Sequence, residues 1–253
     1  MKKHLFLLLC LYTSLHTYGQ KAYKLQSPDG NIQVSVSLSD KIYYNVTYRQ
    51  DTLLKQCNLQ MELSNQELGN APKLAGINKK SVDESLKPVI PLKYSTVANK
   101  YNQLLMKFEG DYSVEFRAFN DGIAYRFITN KKGMIEVYNE TFQVNFPENY
   151  LLHVQHPGGF KTAYEEEYKH IESKDWKTSD KMALLPILID THKDYKILIS
   201  ESDLADYPAL FLKSNGNNGM LSVFPKVPLE FGDDGDRSLK TVSYTHLRAH
   251  ETL

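Results

Sequence analysis

Residues Phe116–Phe127, FRAFNDGIAYRF, constrain the fold more tightly than any other stretch of the chain. Apolar and polar side chains alternate on both sides of an Asn120-Asp121-Gly122 corner, the pattern of two strands folded back on each other. With Asp121-Gly122 as a two-residue loop, the glycine supplies the positive φ that a primed turn needs. That loop sets Phe116 opposite Phe127, Ala118 opposite Tyr125 and Arg117 opposite Arg126. One face of the hairpin is then aromatic and core-facing. The other places two arginines side by side, which is unfavourable unless carboxylates lie nearby. Glu115 shares the arginine face. That face is therefore either solvated, with an intrastrand Glu–Arg pair, or aimed at carboxylates of another sheet or domain.

The same alternation recurs along the chain. Between Asn31 and Ser39, Ile32, Val34, Val36 and Leu38 fall on one side and Gln33, Ser35, Ser37 and Ser39 on the other, a half-buried strand. Asp40-Lys41 turns it into a second strand, Ile42–Arg49, and a third is expected at Asn58–Leu63. Ser64–Asn102 is polar and carries Pro72, Pro88 and Pro91, so it reads as a long connection. Strands are then expected at Leu104–Phe108, Tyr112–Phe119, Ile123–Thr129, Ile135–Tyr138, Phe142–Phe146 and Leu151–Val154. Further strands follow at Leu188–Asp190, Lys196–Ser200, Ala209–Lys213 and Met220–Phe224. The one helix-like stretch is Thr162–Lys169, at most a turn or two. About a dozen strands with short connections imply an antiparallel, all-β architecture.

Residues 1–19 have Lys2 and Lys3, an apolar stretch from Leu5 to Tyr12, and small or polar residues leading to Gly19. This is the pattern of a secretory signal peptide cleaved after Gly19. A lipoprotein anchor at Cys10 is disfavoured, because Leu9 stands where a small residue is needed. No other segment reaches the ~20 apolar residues of a membrane span. Beyond the leader only Cys57 remains, so no intramolecular disulfide is possible. Export without disulfides suits a periplasm better than a small stapled extracellular domain. Lys plus Arg equals Asp plus Glu at 30 each. Such a balance gives no general attraction for nucleic acid or anionic membrane. Aromatic residues make up 11% of the chain, 17 of them tyrosine, which suits β structure and sugar stacking alike.

Few constellations carry chemistry. Glu165, Glu166 and Glu167 are a dense carboxylate run, but a calcium ion takes about six to eight oxygen ligands and three adjacent side chains cannot wrap one. The run is either a solvated acidic turn or a contributor of one or two ligands. Asp233-Asp234-Gly235-Asp236 lacks the spacing of an EF-hand loop and reads as a surface turn. His153 and His156 have no cysteine pair to complete a zinc site, so they read as hydrogen-bonded histidines. His246 and His250 have helical metal spacing without the glutamate of a zinc-protease motif. There is no G-x-S-x-G elbow, phosphate loop or dinucleotide fingerprint.

FRAFNDGIAYRF, the opening SPDG-NIQVSVSL (Ser27–Leu38) and the late ISESDLADYPALFLK (Ile199–Lys213), in that order, resemble the N-terminal domain of glycoside hydrolase family 97. The resemblance spans roughly Tyr23–Phe231. It implies a large antiparallel β-sandwich of the galactose-mutarotase, or supersandwich, type over residues 20–241. It also implies a calcium-dependent exo-α-glycosidase of the α-glucosidase or α-galactosidase type, periplasmic and acting on α-linked oligosaccharides. The catalytic (β/α)₈ barrel and a small C-terminal β domain would lie outside this chain, with the catalytic carboxylates on the barrel, so no catalytic residue is expected here. The family's Glu-x-x-Tyr loop, matched by Glu165-Glu166-Glu167-Tyr168, implies Glu165 as a ligand to Ca2+ shared with the barrel; a one-residue shift in the alignment would give the role to Glu166 or Glu167. Glu201 also falls in a family motif, with no ligand role indicated. Residues 242–253 depart from the family pattern and are expected to be a non-native tail. The alternatives are a stand-alone carbohydrate-binding module and a sugar epimerase, for which no histidine and glutamate pair is assigned by a motif.

Overall fold

The computed structural model describes residues 21–205, 207–233 and 239–244 of the chain. Among them are eighteen strands and no helix. In chain order these are β1 (Ala22–Gln26), β2 (Ile32–Leu38), β3 (Ile42–Tyr48), β4 (Asp51–Leu63), β5 (Gln66–Leu68) and β6 (Leu74–Leu86). Next come β7 (Val97–Phe108), β8 (Tyr112–Ala118), β9 (Ile123–Thr129), β10 (Val137–Asn145), β11 (Leu151–Val154) and β12 (Lys169–Glu172). The series ends with β13 (Ile187–Asp190), β14 (Lys196–Ile199), β15 (Phe211–Ser214), β16 (Gly219–Val223), β17 (Pro228–Asp233) and β18 (Leu239–Tyr244).

One layer is an eight-stranded sheet of order β1-β2-β3-β4-β10-β16-β15, with β5 beside β4. Two four-stranded sheets, β6-β7-β8-β9 and β12-β11-β13-β14, pack with it around one continuous apolar core. The β17-β18 ribbon is separate. Every pairing is antiparallel. The fold is thus the all-β sandwich that the strand pattern and the resemblance imply. Ile32, Val34 and Val36 of β2 and Ile42, Tyr44 and Val46 of β3 line the buried face, at alternate positions as a pleated strand requires. Phe116 joins the layers, with its ring 5.9 Å from that of Tyr44.

The hairpin keeps the expected faces but takes a register two residues away. Glu115 faces Arg126, Phe116 faces Tyr125 and Val114 faces Phe127. The loop is Asn120-Asp121, closed by Phe119 N donating to Gly122 O at 2.8 Å, and Gly122 is not in the left-handed region. A shift of two preserves which side chains face the core. It also replaces an Arg–Arg pair by an acid facing a base, which favours this register. Glu115 Oε1 lies 2.8 Å from Arg117 Nε and 3.2 Å from Arg126 Nε, and Glu115 is only 5% exposed. Among the described residues, both arginines therefore meet a carboxylate of their own hairpin. Arg117 also covers the Tyr101 ring at 4.7 Å. The turn reaches the SPDG corner, where Asn120 Oδ1 accepts a hydrogen bond from Asp29 N at 3.0 Å.

Ser64–Asn102 is not a connection. It holds β5, β6 and the first half of β7, and β6 and β7 pair from Leu74↔Phe108 to Leu86↔Val97. Leu104, Met106 and Phe108 are buried, whereas the outer half of the ribbon lies beyond the last β8 partner, Asn102↔Ala118. Polar side chains facing each other hold that half: Ser81 to Asn102 at 2.7 Å, Lys100 to Asp83 at 2.5 Å and Asn99 to Glu84 at 2.6 Å. Apart from the buried Tyr101 its side chains are exposed or half-buried and mostly polar, so it shows no apolar alternation and a period-two reading misses it. Pro88 and Pro91 sit in the bend at its tip.

Thr162–Lys169 is not helical either. Tyr164 has φ +56°, which stops a right-handed helix, and β12 begins at Lys169. So short a stretch with three adjacent glutamates cannot nucleate a helix without help from packing. Residues 1–20, where the leader is expected, and His246 and His250 lie outside the described residues. So does the rest of the Asp233–Asp236 run beyond Asp233.

Candidate functional site

The loop between β11 and β12 carries Glu165, Glu166 and Glu167. It leaves the sheet after Val154, passes Gly158-Gly159 and is fastened by aromatic side chains. The rings of Phe160 and Tyr164 lie 5.0 and 6.0 Å from that of Phe211 on β15. The Tyr164 hydroxyl donates to Phe160 O, and Thr162 Oγ1 accepts from Tyr164 N at 3.2 Å. Gln155 Nε2 donates to Glu166 O at 2.5 Å, which fixes the far limb of the loop. All three glutamates are exposed, and their carboxylates meet no protein partner among the described residues. They are hard oxygen donors of the kind calcium takes. Among the described residues no three His, Cys, Asp or Glu side chains converge on one point. The loop can therefore supply part of a calcium shell but not a whole one.

His153 and His156 are hydrogen-bonded histidines, as expected from the sequence, and each has a partner other than the other. His156 is buried, with Nδ1 3.0 Å from Met182 O and its ring 5.8 Å from that of Trp176. His153 turns away from it and meets His170 on the neighbouring strand.

A half-buried carboxylate that the sequence reading passed over lies between the layers. Glu140 on β10 accepts hydrogen bonds from Tyr125 at 2.9 Å and Tyr207 at 2.5 Å. Burial raises its pKa, and the two hydroxyl bonds only partly offset this. Glu201 is close by, and both its oxygens accept from Leu210 N at 3.0 Å, closing the 201–210 segment into a loop. Burial is also the main reason its pKa is raised, with Glu140 adding to the effect. One signal was available: Glu140 falls in phase with Phe142 and Val144 on β10, a charge in an apolar series. Cys57, whose thiol is pushed up to about 12 chiefly by burial, is inert as a nucleophile.

A carboxyl whose folded pKa is raised stabilises the fold most below its unfolded value, and that contribution is lost as pH rises through the folded value. Glu140→Gln keeps an oxygen acceptor and removes the ionisation. The stability difference between the native chain and Glu140→Gln, from urea midpoints taken between pH 4 and pH 8, should therefore move against the native chain as pH rises. A difference independent of pH would mean that Glu140 ionises freely in the fold.

The comparisons with known proteins agree on one family. The Glycosyl-hydrolase 97 N-terminal profile matches residues 25–242. The chain is 32% identical over 256 residues to a retaining alpha-galactosidase of Bacteroides thetaiotaomicron, covering 97% of this chain and 38% of that protein. A glycoside hydrolase family 97 enzyme from Pseudoalteromonas sp. strain K8, solved with acarbose, superposes with a TM-score of 0.71 at 21% identity. That match covers 80% of this chain and 32% of the other. A beta-arabinopyranosidase superposes with a TM-score of 0.72 at 22% identity, covering 86% and 37% of the two chains. These superpositions bear on the fold, and the chain spans well under half the length of each relative. The chain belongs to the glycosyl-hydrolase 97 N-terminal family.

Proposed function

We propose that this chain is the non-catalytic N-terminal domain of an exported, calcium-dependent exo-α-glycosidase acting on α-linked oligosaccharides in the periplasm. In that reading it buttresses the catalytic barrel and lends Glu165 to a Ca2+ ion completed by carboxylates of the barrel. The observation that carries it is the β11–β12 loop: three carboxylates without a partner among the described residues, on an aromatic anchor, too few to hold a calcium ion by themselves. When bound, the ion would supply a fixed positive charge beside the substrate pocket. The chain's own part is to hold the loop in place through Phe160, Tyr164 and Phe211. Glycoside hydrolysis needs two carboxyl groups flanking the scissile bond. Glu140 and Glu201 do not serve, since each is committed to internal partners. The alpha-galactosidase relative favours a galactoside substrate, with a glucoside as the second choice.

The test uses the purified chain. Calorimetric titration with Ca2+ should give a dissociation constant no tighter than about 10⁻⁴ M, the weak end of protein calcium sites. Nitrophenyl α-galactoside and α-glucoside should not be hydrolysed. Submicromolar Ca2+ binding would refute the shared site, and turnover would refute the non-catalytic role. Saturable binding of melibiose or maltooligosaccharides would instead establish a stand-alone carbohydrate-binding module.

A further inference from the structure

We infer that His153 and His170 form a two-histidine chelate for a borderline divalent ion, Zn2+, Ni2+ or Cu2+. The antiparallel register of β11 and β12 sets the two residues directly opposite each other. Their Nδ1 atoms are 2.6 Å apart, with ring centroids at 4.7 Å and planes at 77°. At that separation the nitrogens share one proton, so one is a donor and the other offers its lone pair. An ion in place of the proton would be met by both lone pairs. Metal–imidazole bonds of about 2.0–2.1 Å put two such nitrogens roughly 2.9–3.4 Å apart, from a right-angled to a tetrahedral arrangement. The rings must part by some tenths of an ångström. His170 is exposed and His153 partly so, and a surface side chain makes that adjustment by a small rotation.

The backbone does not have to move. β11 is held on its other side by β13, with Leu188 opposite His153, so the spacing of the pair is set by two ladders. An exposed Leu188 beside the imidazole offers no competing ligand. Two imidazoles select a borderline transition ion over a hard one, whereas calcium takes oxygen donors. Among the described residues no third ligand completes the set, so water fills the remaining positions. This chelate is therefore distinct from the glutamate loop in donor type, although both lie on the β11–β12 excursion.

The test is a calorimetric titration of the full chain with Ni2+ and with Zn2+. Its background is a His246→Ala/His250→Ala variant, because that tail pair has chelating spacing of its own. One ion per chain should bind. His153→Gln and His170→Gln should each weaken binding by more than about tenfold, the lower edge of what losing even a supporting residue costs. The double variant should bind no more weakly than either single one, since a lone imidazole does not chelate. Excess Ca2+ should leave the Ni2+ affinity unchanged. In the same His246→Ala/His250→Ala background, Ni2+ should broaden the imidazole proton resonances of His153 and His170 before those of His156 and His192. An affinity unaffected by His170→Gln, competition by Ca2+, or broadening that begins elsewhere would overturn the chelate. None of these outcomes depends on whether Glu165 binds calcium.

Discussion

Phe116→Ala is expected to lower the stability of the chain by about 3–5 kcal/mol, the range for removing a fully buried aromatic ring. Phe116 has no exposed surface and touches both layers, through Tyr44 of the large sheet and Tyr125 of the hairpin. Its neighbours belong to paired strands, so they cannot collapse into the space without breaking ladders. A cavity of nearly full size would remain. The single tryptophan, Trp176, is buried in the other half of the core, where Ser214 Oγ donates to its carbonyl oxygen at 2.5 Å. Guanidinium unfolding followed by Trp176 fluorescence and by far-ultraviolet dichroism should show one shifted, coincident transition. A loss under about 1 kcal/mol, well below the range for truncating a buried aromatic ring to alanine, would show that the layers are not packed through Phe116. Separate transitions for the two probes would show that the two small sheets unfold independently.

Gly219→Ala should be comparably damaging, and for a different reason. A Cβ at Gly219 would lie 2.2 Å from Val144 O and 2.9 Å from the Cα of Asn145, both backbone atoms of β10. Gly219 pairs with Asn145 at the start of β16, so relief requires the two strands to separate. Overpacking of this kind costs about 1–3 kcal/mol and more where only backbone can yield. The contrast is Gly122, which a hairpin reading makes indispensable. No atom lies within 4 Å of a Cβ built there, and its φ is not left-handed. Gly122→Ala should stabilise the chain by about 0.4–1 kcal/mol by restricting the unfolded state. Thermal melts of the two variants decide the matter. A destabilised Gly122→Ala beside an unaffected Gly219→Ala would reverse the assignment of the two glycines.

The contrast between these glycines shows what the sequence makes visible. Composition and alternation locate strands whose faces differ, such as β2, β3, β9 and β11, because burial on one side writes a period of two. They do not set register by themselves. The hairpin slid by two residues because Glu115 opposite Arg126 is better than Arg117 opposite it, a choice between pairings that keep the same faces. Strands with mostly exposed side chains leave no periodic trace, which is why the whole of β6 and the outer half of β7 read as a connection in the sequence. The glutamate run was visible, and only the family resemblance offers it a reading other than an ordinary acidic turn. His170 could not be matched to His153 while Thr162–Lys169 was read as helix, because the match exists only through β12. Glu140 was legible in principle, as a charge in phase with apolar neighbours.

The β6–β7 ribbon bears on how the protein behaves at high concentration. β6 is the outermost strand of its sheet, and thirteen residues long. A bare edge of that length is a template on which a second molecule can add a strand. Lys79, Lys80, Asp83 and Glu84 lie along it, and Pro88 and Pro91 interrupt a tip that exposes Val89, Ile90 and Leu92. Charge must be desolvated before another strand can dock, and proline cannot donate to a growing ladder. Side chains that add almost nothing to the core thus oppose the addition of a second copy's strand at this edge, a task separate from folding stability.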